Sequence, residues 1–304
     1  MFKKYQSLEN SYNDKFLRRF LETYPELQNE TYIVTEKLDG ANIQIYFEPG
    51  VPYRIGKRSD FLKEDETFFD IHSTVKKYQE SLDKIQKHVE ITKNKIRLYG
   101  EIYGSGIQKR VNYGDEKYIA FFDVEVNGEL WAPRDFMHLA EGFDLPRVPV
   151  IQIKANITEV LSLSENFNTN INPVENNASE GLVIRPFGKN YYSHVGAIFI
   201  LKKKSAKFSE KEGLEKPVKI LDTPVLDANL KFKAYLNDNR VLSVFSKSGP
   251  MQEMSQMGEY IKLVLEDAKL DFLKENDISM FDKNQLKDVY NVGNLVVQLL
   301  KKHL

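Results

Sequence analysis

Thr35-Glu36-Lys37-Leu38-Asp39-Gly40-Ala41-Asn42 decides how this chain is read. Asp-Gly is a strong turn signal between strand-like runs, so residues 31–47 are expected to form two strands around a tight turn. The second run alternates. Ile43, Ile45 and Phe47 point one way, and Asn42, Gln44 and Tyr46 the other. Lys37 ends the first strand, held at an edge by the turn, and Gly40 lets the backbone come close to a ligand. Taken alone, so short a pattern also describes a plain hairpin carrying a solvated lysine.

Outward from this hairpin, residues 13–24 place Phe16, Leu17, Phe20, Leu21 and Tyr24 on one helical face, with Pro25 as a stop. Residues 64–91 read as one long helix, because Phe68, Ile71, Val75, Tyr78, Leu82, Ile85 and Val89 recur at steps of three and four. Strands are expected near 95–103, 118–126, 181–186 and 196–202, and the Asn/Ser-rich segment 164–180 reads as a loop. Pro217 and Pro224 bracket a linker. Beyond it, Met254, Met257, Ile261, Val264, Leu265 and Ala268 suggest one helix, and the apolar residues from Leu286 to Leu300 another. A few apolar alternations near Val241–Phe245 are the exception to a helical tail.

Composition narrows the chemistry. Over 304 residues the formal charge is −1, so no global field attracts a polyanion and any such site is local. With no cysteine there is no disulfide framework, thiolate zinc site or cysteine nucleophile, and five scattered histidines do not suggest a His-rich metal site. No apolar run nears the ~18 residues of a membrane span, and Met1-Phe2-Lys3-Lys4 leads into polar residues rather than a signal core. A cytoplasmic monomer with no membrane partner is the expectation. Residues 226–304 carry eleven basic and eleven acidic side chains and so form no polybasic arm, whereas 202–219 holds seven lysines against three acids. That second stretch favours a local polyanion path.

Further motifs follow the hairpin in order: Lys57-Arg58-Ser59, then Leu98-Tyr99-Gly100-Glu101-Ile102-Tyr103-Gly104, then Ile119-Ala120-Phe121-Phe122-Asp123-Val124. Glu180-Gly181-Leu182-Val183-Ile184-Arg185-Pro186 and Lys202-Lys203-Lys204-Ser205-Ala206-Lys207-Phe208-Ser209-Glu210 complete the series. Together with Lys-x-Asp-Gly-x-Asn, this set resembles the covalent nucleotidyltransferases: DNA ligases, RNA ligases and capping enzymes. The Lys-x-Lys core followed by Lys-Phe-Ser-Glu is most similar to the RNA ligase 2 family of nick-sealing RNA repair and editing ligases. The likeness spans about residues 31–212. Two departures stand out: Asp39-Gly40 is the DNA-ligase spelling where this family often has His-Gly, and Ser205 stands where Asn is common.

The resemblance implies an α+β fold. A ligase-type nucleotidyltransferase domain of antiparallel sheets flanked by helices would occupy residues 1–225, and a small, mainly helical domain 226–304. It implies ATP as AMP donor, Mg²⁺ or Mn²⁺, and an RNA partner with 3′-OH and 5′-phosphate ends, as at a nick in a duplex. Lys37 would be the nucleophile. A free lysine amine has a pKa near ~10.4, so Lys202, Lys204 and the metal are expected to supply the positive field that frees its proton. Glu101 would accept from the ribose and Glu36 would lie near the adenine edge. Glu180 would orient the metal through water, and Arg58 would grip phosphate. Phe122 would stack on the base, although Phe121 is adjacent and alternation lets only one of them face the site. Asn42 would assist strand joining more than adenylylation. Lys189, Tyr191 and Tyr192 could touch RNA, or form an exposed loop. Rival readings are a DNA ligase, a GTP-using capping enzyme, and a silent nucleotide- or RNA-binding relative.

Overall fold

The computed structural model describes residues 1–208 and 224–303. The linker proline Pro217, and Ser209, Glu210 and the lysines beyond Lys207 in the basic stretch, lie outside the described residues. The chain forms two compact units, Met1–Lys207 and Phe208–Leu304.

In chain order the first unit runs β1 (Glu9–Asn10), α1 (Asp14–Thr23), β2 (Thr31–Lys37), β3 (Ala41–Glu48), β4 (Val51–Lys57), α2 (Ile71–Lys76) and α3 (Gln79–Thr92). It continues with β5 (Ile96–Gly104), β6 (Lys117–Val126), β7 (Glu129–Leu130), α4 (Pro133–Gly142), β8 (Val150–Ala155), α5 (Ile157–Leu161), β9 (Gly181–Pro186) and β10 (Leu201–Lys204). The strands build two sheets, ordered β1-β10-β9-β2-β8 and β4-β3-β5-β6-β7. Pairing is antiparallel throughout except for β1 against β10.

Each sheet buries one face under helices. In the second sheet Ile43, Ile45 and Phe47 of β3 meet Val75 of α2 and Leu82 and Ile85 of α3 in one core, as the alternation predicts. In the first, Tyr32 and Val34 of β2 pack with Phe16 and Phe20 of α1 and Ile157 of α5. The remaining faces turn toward each other. Arg185 of β9 bridges them by reaching Asp123 of β6 at 2.5 Å, and the Tyr5 hydroxyl donates to the same carboxylate at 2.6 Å.

The long helix expected over 64–91 is broken. Phe69 and Asp70 take positive φ values of 49° and 55°, and α2 and α3 are separate helices divided near Tyr78. The spacing carried across the break because both helices bury the same side in one core. The strand expected at 196–202 begins only at Leu201.

The second unit, described from residue 224, is helical: α6 (Pro224–Lys233), α7 (Asp238–Ser248), α8 (Met257–Glu275), α9 (Lys283–Val289) and α10 (Gly293–Lys301). Tyr260, Val264, Ala268 and Phe272 recur every four residues along α8 and form its buried stripe. The alternation at Val241–Phe245 lies inside α7, where Val241, Val244 and Phe245 face the core at helical spacing. The helix expected over 286–300 is two, since Asn291 and Gly293 interrupt it. Arg240 is buried here, with Nη1 on Asp267 at 2.7 Å and on Asp271 at 2.9 Å and Nε donating to the Tyr235 carbonyl at 3.2 Å. Among the described residues no helix is long and apolar enough to cross a membrane.

Candidate active site

Lys37 ends β2 and Asn42 lies near the start of β3, but the two strands do not pair with each other: the expected hairpin is instead a short connection that carries the chain from one sheet to the other. Gly40 is demanded at that crossing, because a Cβ there would sit 2.3 Å from the Ile102 carbonyl oxygen.

Strand register sets the charged face. Lys37 pairs with Gly181 of β9, and Gly181 with Lys204 of β10. One row further along, Thr35, Val183 and Lys202 align. Residues level with one another in a sheet point to the same side, so Lys37, Lys202 and Lys204 share the face turned toward the second sheet. Between the outer two members of the Lys37–Lys204 row there is no side chain. Gly181 has φ 148°, and a Cβ on it would lie 2.0 Å from the Lys203 carbonyl oxygen. Glu180, the residue before it, fills the space in front: its Oε2 accepts from Lys37 Nζ at 2.7 Å and its Oε1 from Lys204 Nζ at 2.9 Å. Burial alone would raise the Glu180 carboxyl, but Lys204, Lys37 and Arg110 outweigh it and hold it at about 2. The sequence suggested cations around Lys37; the structure sets a buried carboxylate among them.

The second sheet supplies the opposite wall. Asn42 and Glu101 are a cross-strand pair on β3 and β5. Burial, reinforced by Glu180 and Asp39 and opposed by Lys37 and Arg58, pushes the Glu101 carboxyl up to about 8. The choice between Phe121 and Phe122 is made by a bulge. Gly100 pairs with Phe121 and Tyr99 with Asp123, which leaves Phe122 as the extra residue on β6. Phe121 is fully buried in the helix-covered core, while Phe122 is half-buried, with its ring 5.1 Å from that of Tyr5. Arg58, just past β4, donates to the Ser7 hydroxyl at 3.3 Å.

Glu36 lies differently. It shares the face of Tyr32 and Val34, away from Lys37, and its Oε2 accepts from the Asn170 backbone N–H at 2.9 Å and from Asn170 Nδ2 at 3.2 Å. Lys189 and Tyr192 are exposed and Tyr191 is buried, its hydroxyl donating to Glu30.

Three residues of this region gave no signal as motifs. Arg110 grips Asp39, with Nε on Oδ2 at 3.0 Å and Nη2 on Oδ1. Tyr113 accepts the Asp39 backbone N–H at 2.9 Å. Asn170 holds Glu36. The first could have been sought, since a buried Asp39 in a His-Gly position calls for a cation; the other two sit in loops whose folded path the sequence does not disclose.

Among the described residues no three His, Asp or Glu side chains converge to hold a metal ion by themselves. Glu180, held ionised, offers oxygen donors only. That fits Mg²⁺ or Mn²⁺ bound by one or two carboxylates together with water and phosphate, rather than a closed protein cage.

Residues 30–204 match the family described as RNA ligase, and residues 227–294 match the one described as T4 RNA ligase 2 C-terminal. Similar solved structures include a point variant of Naegleria gruberi RNA ligase with ATP and Mn, at TM-score 0.51 and 19% identity, covering 68% of this chain and 57% of that one. The same Naegleria ligase with PPi gives TM-score 0.50 at 19% identity, covering 67% of this chain and 56% of that one. At such identity the likeness speaks for the fold, and this chain spans a little over half the length of those Naegleria chains. The family match, covering more than half of the 304 residues, carries the conclusion that the chain belongs to the RNA ligase family, with a C-terminal region of the T4 RNA ligase 2 type.

Proposed function

We propose that this chain is an ATP-dependent RNA ligase that joins a 3′-OH end to a 5′-phosphate end, at nicks in duplex RNA, through an AMP carried on Lys37. The observation that carries this reading is the sharing of one buried carboxylate, Glu180, by Lys37 and Lys204 across the side-chain-free row at Gly181. A binding protein has no use for an amine held at a strand end on a charged wall. An acceptor of a nucleotidyl group does. Naegleria RNA ligase structures with ATP and Mn support the choice of nucleotide and metal.

Lys37 Nζ would attack the α-phosphorus of ATP. A P–N bond forms, the bond to the bridging oxygen breaks, pyrophosphate leaves, and the amine gives up its proton. AMP then passes from Lys37 to the RNA 5′-phosphate, and the 3′-OH attacks that activated end and expels AMP. Positioning and charge stabilisation dominate such transfers. Lys202 and Lys204 offset charge on the departing phosphates. Phe122 stacks on the base, Glu101 accepts from the ribose, and Arg58 grips phosphate. Glu36 would meet the nucleobase edge through its main chain, its carboxylate being held by Asn170. Glu180 would hold a hydrated divalent ion, which supplies charge neutralisation of the triphosphate when bound. Asn42, level with Glu101, would act in strand joining. Residues 1–225 would form the adenylyltransferase domain and 226–304 a separate helical domain.

Mass spectrometry tests the first step. With ATP and Mg²⁺ the parent gains one AMP on Lys37, and Lys37→Ala gains none; an adduct on the variant removes Lys37 from this role. GTP in place of ATP separates the reading from a capping enzyme. Sealing of matched RNA/RNA, RNA/DNA and DNA/DNA nicks separates it from a DNA ligase, which would close the last best.

A further inference from the structure

Asp39 marks this chain's departure from the His-Gly spelling. The residue is 2% exposed. Its carboxylate is pushed toward the protonated form by burial and by neighbouring Glu180, and is drawn back by Arg110 and Lys37. Lys37 thus has three carboxyl groups within electrostatic reach, Glu180, Glu101 and Asp39. It hydrogen-bonds to Glu180, while both oxygens of Asp39 are engaged by the Arg110 guanidinium. A two-point grip of this kind fixes geometry as well as charge.

Arg110 is itself held. The loop at 105–116 is tied to the Asn-rich segment 164–180: the Asn112 N–H donates to Asn177 Oδ1 at 2.9 Å, and Asn177 Nδ2 donates to the Asn112 carbonyl at 2.7 Å. Tyr113 of the same loop accepts the Asp39 N–H. Gly40 packs closely against β5, since a Cβ there would lie 2.3 Å from the Ile102 carbonyl oxygen. The turn after the nucleophile is therefore clamped through side chain and main chain by one loop.

We propose that Arg110 is a positioning residue for adenylylation: by occupying both oxygens of Asp39 it leaves Lys37 hydrogen-bonded to Glu180 and keeps the amine aimed along the Lys37–Gly181–Lys204 row. This rests on the reading of Lys37 as the nucleophile. A cation that simply bound phosphate would act whatever stood at position 39. One that works through Asp39 loses its effect once that charge is gone.

A double-mutant cycle decides between them. Single-turnover AMP transfer from ATP and Mg²⁺ is measured on the parent, Arg110→Ala, Asp39→Asn and the double variant, with unfolding midpoints for all. Arg110→Ala should slow transfer at saturating ATP about tenfold in the parent, but less than about threefold in the Asp39→Asn background, a coupling usual for directly bonded charges. Arg110→Lys, which keeps charge but not the fork, should recover only part of the rate. Equal effects of Arg110→Ala in both backgrounds, with the parent labelled on Lys37, overturn the inference and leave the function standing. Absence of label on the parent overturns both. Should Arg110→Ala abolish the unfolding transition, Arg110→Gln runs the same cycle with the same two outcomes.

Discussion

Two charge clusters in this chain have inverse make-up. In the first unit one carboxylate, Glu180, serves two ammonium groups, Lys37 and Lys204. In the helical unit one guanidinium, Arg240, serves two carboxylates, Asp267 and Asp271, and Lys247 takes Asp267 as well. Arg240 is anchored by three partners of the helical unit, two aspartates on α8 and the Tyr235 carbonyl between α6 and α7. The lysines at Glu180 stand at strand ends on a face that looks across a cleft. Each is a point charge that an incoming phosphate can recruit. A cluster with surplus cation on an open face can trade its carboxylate for a ligand. A saturated one inside a helical core serves cohesion, and the contrast separates chemistry from architecture without reference to any motif.

The largest effect that would break this contrast is at Lys204. Lys204→Ala should slow formation of the Lys37 adduct on the order of a hundredfold or more, the scale on which a preorganised charge is lost, with little change in unfolding midpoint. A stability defect with normal labelling would make the first cluster merely structural. The converse test is Arg240→Ala. It strands two aspartates and should cost about 3–5 kcal/mol in denaturant unfolding, while labelling of Lys37, under conditions where the variant stays folded, remains within about threefold of the parent. Loss of labelling in a folded variant would erase the distinction.

Asn42 sharpens the contrast by step. Asn42→Ala should still form the adduct but seal pre-adenylylated nicks about tenfold more slowly, the usual loss for one positioned polar contact. Equal slowing of both steps would place it with the lysines. The smallest effect concerns the carboxyl of Glu101, where burial outweighs the nearby cations. Glu101 is pushed up from 4.5 to about 8, so the native state keeps a proton that the unfolded chain releases. Its contribution to stability is full below about pH 4.5 and lost as pH rises to about 8. Glu101→Gln should therefore unfold later than the parent by a margin that widens from pH 5 to pH 8 and then levels off. Thermal melts across that range check this, and a constant margin would mean the carboxyl is not held protonated.

Much of this was legible in the sequence because it is local. The alternation of β3 and the α8 stripe each depend on residues within a few positions of one another, whereas the Asp39-Gly40 signal misled, because it joins two sheets and not the strands of a hairpin. The fold of the first unit could be read because its motifs sit at strand ends whose order survives in the chain. What could not be read depends on contacts or backbone states that leave no periodic trace. Arg110 reaches Asp39 from 71 residues away. The bulge that turns Phe122 inward is a matter of register between β5 and β6. The break before α2 rests on the positive φ values of Phe69 and Asp70, of which only the aspartate belongs to a residue type enriched there.

The vacancy at Gly181 has a consequence for how such a site can change over time. The distance between the Lys37 and Lys204 backbones is two strand spacings, roughly 9–10 Å, and it is fixed by the hydrogen-bond ladder of β2, β9 and β10, not by packing beneath. Substitutions that reshape the apolar layers on either side leave that gauge untouched. The core is free to drift while the interval between the two amines is inherited intact, and position 181, which admits no side chain at all, is where an exhaustive substitution library should be most sharply depleted.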